Sequence, residues 1–163
     1  MNTIFEKLTV EANKLFEKYG LIGWKLEFDN ANLRFGICRY SKRIIGLSEK
    51  MVILNAEKNY NEVYETLLHE IGHALSFQRY GVKGRGHGFL WETCVRELGG
   101  KPQRCYDSSK VEIVKGKFKY VCDKGHEQYF YKRLKRRYAC STCCKENHIH
   151  TFDERFVLKL VEE

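Results

Sequence analysis

Three residues in the stretch LLHEIGHAL have types and spacing suited to hydrolysis: His69, Glu70 and His73. On a helix, residues four apart project from one face, so the two histidines can offer nitrogens to one ion. Glu70 turns about 100° away from His69, where it can take a proton from a water without ligating. A zinc ion lowers the pKa of a water it holds to about 7, and a neighbouring glutamate then serves as general base. The competing reading is a buried helix with incidental histidines. Leu67, Leu68, Ile71, Ala74, Leu75 and Phe77 make the helix apolar, however, and a buried polar trio needs a compensating partner. Gly72, at about 1 kcal/mol relative to Ala in a helix, points to close approach of another backbone or a substrate.

Catalytic zinc takes three protein ligands and keeps a fourth position open. His87, in GRGHGFLW, is the only histidine between the motif and the cysteines, and its glycine-rich loop can fold back. Glu92 or Glu97 is the alternative third ligand, although both also read as helix-surface charges.

Four of the seven cysteines cluster: Cys122, Cys140, Cys143 and Cys144. Cys140-x2-Cys143 is a zinc-knuckle spacing, and Cys122-x3-His126 can form a second arm. Cys122, His126, Cys140 and Cys143 are the expected structural set, with Cys144, His148 and His150 as substitutes and four reduced thiols as the metal-free alternative. Cys38 and Cys94 read as ordinary buried thiols, and Cys105 is isolated.

Between the two arms lies YFYKRLKRRY. Lys132, Arg133, Lys135, Arg136 and Arg137 can neutralise phosphates, while Tyr129 and Tyr131 can stack on unpaired bases. A solvated basic face is the plainer reading. The net charge of +8 favours the first, because it is uneven: residues 1–100 carry 14 Lys/Arg against 12 Asp/Glu, residues 101–163 carry 15 against 9. No groove-reading helix is apparent, so the expected partner is DNA with single-stranded character, bound without sequence specificity.

The elements that must position these groups are legible in outline. Residues 3–19 form an amphipathic stripe closed by Gly20. WKLEF (24–28), LRFGICRY (33–40) and RIIGLS (43–48) read as three strands of an antiparallel meander, separated by turn residues. MVILNA (51–56) extends the sheet or leads into a helix. Asn61 can cap a helix over 62–80, GVKGRGHG is a loop, and FLWETCVRELGG is a short helix. From KPQRC onward the pattern alternates basic and aromatic residues, which suggests a small β unit with a boundary near residue 101.

One proline, 43% hydrophobic residues and no apolar run of membrane-spanning length describe a globular chain with no membrane role. The N-terminal segment is amphipathic and charged rather than a signal peptide, and an odd cysteine count argues for metal ligation over disulfides. The expectation is a monomer in the cytoplasm, nucleoid or nucleus.

The segment GLIGWKLEFDNANLRFGICRYSKRIIGLSEKMVILN, then TLLHEIGHAL, then GHGFLWETCVRELG resembles the SprT-like (Spartan) family of zinc metalloproteases. The likeness runs from about residue 5 to 145 and includes Gly36–Cys38, Ile45–Ser48, Asn55 and the G-H-G-x-x-W segment. It implies an α+β fold: a minimal zincin-type metalloprotease, helices on a small antiparallel sheet, with a C-terminal zinc-ribbon-like β subdomain. With the composition boundary near residue 101, the expected domains are 1–100 for the protease domain and 101–163 for the basic zinc-ribbon-like subdomain. It also implies His69, His73 and His87 as ligands of a catalytic Zn2+, Glu70 as catalytic acid/base, and a second, structural zinc. The implied activity is cleavage of proteins bound or crosslinked to DNA. Two other readings remain: a nucleic-acid-binding accessory factor with a silent or suppressed protease site, and a peptidase acting on small peptides.

Overall fold

The computed structural model describes residues 3–105 and 109–162, Glu162 by its backbone alone. The chain is mixed α and β, and it divides into two compact units, 1–114 and 115–163.

The first unit opens with α1 (Ile4–Lys18), started by a capping box in which Thr3 Oγ1 accepts the Glu6 N–H and the Glu6 carboxylate accepts the Thr3 N–H. Its Leu8, Ala12 and Phe16, spaced four apart, are buried. Three strands follow: β1 (Lys25–Asp29), β2 (Gly36–Arg39) and β3 (Ile44–Ser48). They do not form an antiparallel meander. The order is β1-β3-β2, with β1 parallel to β3 and β2 antiparallel to it. The physical reason is burial. IIGLS is the most apolar of the three and is buried from Ile45 to Ser48, so it takes the centre, while the half-exposed β1 and β2 become edges.

MVILNA is helical. α2 (Glu49–Asn55) starts at Ser48, whose Oγ accepts the Met51 N–H. α3 (Tyr60–Tyr80) is the long central helix; Asn59, not Asn61, occupies its N-cap and makes no side-chain cap bond there. Val63, Leu67, Ile71, Ala74 and Leu75 face the core at helical spacing. α4 (Phe89–Glu97) packs along α3 at Gly72, where an added Cβ would stand 2.4 Å from Val95 Cγ2. The glycine thus admits a neighbouring helix.

The unit ends later than the composition change near residue 101 suggests. Val111 is buried in the core and Val114 packs on it. Asn55, itself fully buried, holds the backbone there: its Nδ2 donates to the Glu112 carbonyl and its Oδ1 accepts the Glu112 N–H, both at 2.8 Å.

The second unit holds β4 (Phe118–Val121), β5 (Glu127–Phe130), the short α5 (Ser141–Glu146) and β6 (Lys159–Glu162). Its sheet is antiparallel in the order β5-β4-β6. The core consists of Phe118, Tyr120, Phe156 and Leu158 together with Cys122, Cys140 and Cys143. Among the described residues no helix is long and apolar enough to cross a membrane.

Candidate metal centres

In the first unit α3 presents His69 and His73 one turn apart, and the loop ahead of α4 returns His87 to them. The three Nε2 atoms form a near-equilateral triangle: 3.2 Å from His69 to His73, 3.2 Å from His73 to His87 and 3.1 Å from His87 to His69. Three nitrogens bound to one zinc at tetrahedral angles stand about 3.3–3.4 Å apart. The triangle therefore fits a single ion. Glu92 and Glu97 are engaged elsewhere, Glu92 with Arg96 and Glu97 with Arg79.

The protonation pattern agrees. His69 Nδ1 lies 3.1 Å from the Gln103 carbonyl oxygen, which can only accept. That nitrogen carries the proton, and Nε2 points a lone pair at the other two rings. Burial, then repulsion from neighbouring imidazoles, pushes His69 down to about 4 and His73 down to about 3. Burial followed by Arg104 lowers His87. All three are neutral at pH 7, the form that ligates. The Tyr40 hydroxyl stands 3.4 Å from His73 Nδ1. Beneath the triad lies Trp91, only 1% exposed: its ring is stacked on His73 at 5.2 Å and edge-on to His69 and His87 at 4.7 Å. Its Nε1–H donates to the His69 carbonyl, tying α4 to the helix that carries the ligands.

Glu70 is 7% exposed and sits against β2. A Cβ on Gly36 would stand 2.7 Å from both Glu70 Cγ and Oε1, so only glycine fits opposite this carboxylate. Burial pushes the Glu70 carboxyl up to about 8, and the Arg34 guanidinium pulls it the other way. A divalent cation in the adjacent triad also favours the carboxylate form. Glu70, His69 and Arg34 line one cleft of about 220 Å³, together with Leu33, Thr66 and Gln103. Arg34 is fixed by Asp29, which also accepts from Arg39 at 2.9 Å and from the Ala31 N–H at 3.1 Å. Burial acts to raise the Asp29 carboxyl, but these donors outweigh it and hold it below the usual range.

In the second unit Cys122 and His126 bracket the tight turn between β4 and β5, while Cys140 and Cys143 lie at the start of α5. Their ligand atoms all lie within 4.8 Å of one another. Cys122 Sγ is 3.7 Å from Cys143 Sγ, and His126 Nδ1 stands 3.2 to 3.7 Å from the three sulfurs. Tetrahedral zinc with thiolates at about 2.3 Å sets its sulfurs about 3.8 Å apart, so this set also fits one ion. Burial raises the Cys122 thiol, but the N–H groups of His126 and Lys124 and the neighbouring thiols outweigh it and bring it down to about 7. Glu146 stands 4.0 Å from the outer ring nitrogen of His126. Among the described residues Cys144, His148 and His150 lie outside the cluster.

The basic strip is only partly gathered. Tyr131, Lys132, Arg133, Lys135 and Arg136 line one open groove of about 370 Å³. Tyr129 lies outside it, with its hydroxyl donating to Glu127 at 2.7 Å and Lys115 over its ring. Arg137 is paired with Glu154 at 2.9 Å. The Leu134 N–H donates to the Tyr120 hydroxyl and pins the loop.

Arg34, Tyr40 and Gln103 belong to no motif in the sequence. The one available signal was charge: Arg34 and Arg39 flank an apolar strand, with Asp29 as the nearest acid.

Comparison with known proteins agrees with this geometry. Protein SprT of Glaesserella parasuis serovar 5 (strain SH0165) is 31% identical over 100 residues, covering 56% of this chain and 62% of that protein. The chain thus matches less than two thirds of that relative's length. The model of the SprT-like family matches residues 3–113, the segment that carries the triad, Glu70 and the cleft, and the chain belongs to that family.

Proposed function

We propose that this protein is a zinc-dependent endopeptidase that cuts proteins bound or crosslinked to DNA. The observation that carries the hydrolytic reading is the triangle of three imidazole nitrogens 3.1–3.2 Å apart, with a buried carboxylate on the residue after His69. Bound to His69, His73 and His87, zinc would polarise the scissile carbonyl and make water a nucleophile near neutral pH. Glu70 takes the proton of the attacking water and returns it to the leaving nitrogen. The cleft beside Glu70 receives extended polypeptide, and its burial keeps bulk water from the carboxylate.

Cys122, His126, Cys140 and Cys143 would hold a second zinc with a structural role, in the manner of a zinc ribbon. The groove lined by Tyr131, Lys132, Arg133, Lys135 and Arg136 supports binding of single-stranded DNA through phosphate neutralisation and base stacking. DNA bound there brings its attached protein to the same chain.

The test is incubation with a protein crosslinked to DNA, with and without added single-stranded DNA. The parent is expected to fragment it and the Glu70→Gln variant to leave it intact. Binding of DNA with no cleavage under any condition would instead establish a nucleic-acid-binding factor with a silent centre.

A further inference from the structure

Arg34 is held from one side only. Its Nη2 contacts Asp29, whereas its Nη1 is buried and has no hydrogen-bond partner. Such a donor, desolvated and unbonded, is uncommon, and where one occurs it calls for a reason. A second ionisable group lines the same cleft: Glu70, a residue only 7% exposed.

One chain segment borders the cleft beside Glu70: Arg34, the buried Phe35 and Gly36 all line it. Gly36 is the position whose missing Cβ makes room for the Glu70 side chain. The Arg34 guanidinium also pulls the Glu70 carboxyl down against the upward push of its burial.

Building on the protease reading, we infer that Arg34 is a positioning residue for Glu70: its free Nη1–H engages the Glu70 carboxylate during turnover and aims it at the imidazole triad. Asp29 supplies the fixed point, occupying the other arm of the guanidinium so that Nη1 is presented rather than mobile. A fork-shaped donor suits the task, because one arm can be anchored while the other works. No hydrogen bond joins Arg34 and Glu70 in this structure, as is common for catalytic contacts that tighten only with substrate in place. Polypeptide filling the cleft displaces water, which strengthens the attraction between the two groups.

Two measurements test the inference, one of them independent of turnover. In the first, cleavage of dye-labelled unfolded casein is followed for the parent, Arg34→Met, Arg34→Lys and Asp29→Asn, with zinc content and unfolding temperature recorded for each. Arg34→Met is expected to lower kcat by about 10- to 100-fold while KM and zinc content hold. Arg34→Lys should recover part of the loss, and Asp29→Asn should fall between. Unchanged kcat in Arg34→Met, or a rise in KM alone, overturns the inference; the latter would make Arg34 a substrate contact. In the second, the Arg34 guanidinium is observed by nitrogen-15 NMR in the zinc-loaded protein with a peptide hydroxamate bound. The Nη1 protons should move downfield and exchange slowly with water in the parent, and lose both properties in Glu70→Ala. Identical Arg34 signals in the two proteins overturn the pairing. Absence of casein cleavage by the parent counts against the protease reading, whereas the Arg34 signals decide the pairing whatever the turnover.

Discussion

The two ligand clusters differ in what surrounds them. The imidazole triad stands at the edge of a large apolar core: His73 is buried, His69 half-buried and His87 exposed. Three of the four ligands of the second cluster are themselves core, with Cys122 at 4% exposure and Cys140 and Cys143 at 0%, and only His126 is half-buried. A unit of about fifty residues with so few buried side chains lacks the apolar area to offset its chain entropy. With so large an apolar core the first unit could leave a metal open to substrate without relying on it for its fold, whereas the second would rely on the ion its cysteines could hold.

The largest expected difference follows from removing metal. Structural zinc contributes about 10–16 kcal/mol in small metal-stapled domains. A strong chelator should abolish hydrogen-exchange protection in β4 and β5 while α1 and α3 keep theirs. Equal protection in both units after chelation would break the contrast.

Glu70→Gln comes next, with cleavage reduced by about 10²- to 10⁴-fold and zinc content unchanged. Loss of zinc along with activity would make Glu70 a ligand rather than a base. A pair of glycines then sharpens the comparison. Gly36→Ala places a Cβ 2.7 Å from the Glu70 carboxylate and should destabilise the first unit by about 1–3 kcal/mol, with loss of activity. Gly125→Ala meets no atom, but Gly125 has a φ of +81° in the Cys122–His126 turn. It should cost about 1–2 kcal/mol and weaken metal binding in the second unit alone. Thermal unfolding and metal titration of each variant decide the matter.

The smallest effect concerns the groove. Replacing Lys132, Lys135 and Arg136 together by Gln should flatten the salt dependence of single-stranded DNA binding by about two units of slope. Cleavage of free unfolded protein should not change. An unaltered slope would move the DNA-binding surface elsewhere.

The helical spacing of His69 and His73, the short reach back from His87 and the two cysteine arms were legible because each depends on neighbours in sequence. The strand order was not. Strands of four or five residues show which face is buried but not which strand lies alongside, and only the apolar excess of IIGLS hinted at a central place. The supports of the site were hidden for a similar reason. Gln103 reaches His69 from 34 residues away and Tyr40 reaches His73 from 33. The end of the first unit was obscured by composition, since the bonds from Asn55 to Glu112 span 57 residues and leave no local mark.

Zinc content decides whether the chain holds two metal sites of different character. Purified parent should hold two ions per chain, while His73→Ala and Cys140→Ser should each hold one. The His73→Ala protein should keep the fold of both units, and Cys140→Ser should lose that of the second. A parent with a single ion, or a Cys140→Ser protein that keeps two, would contradict the two-site assignment.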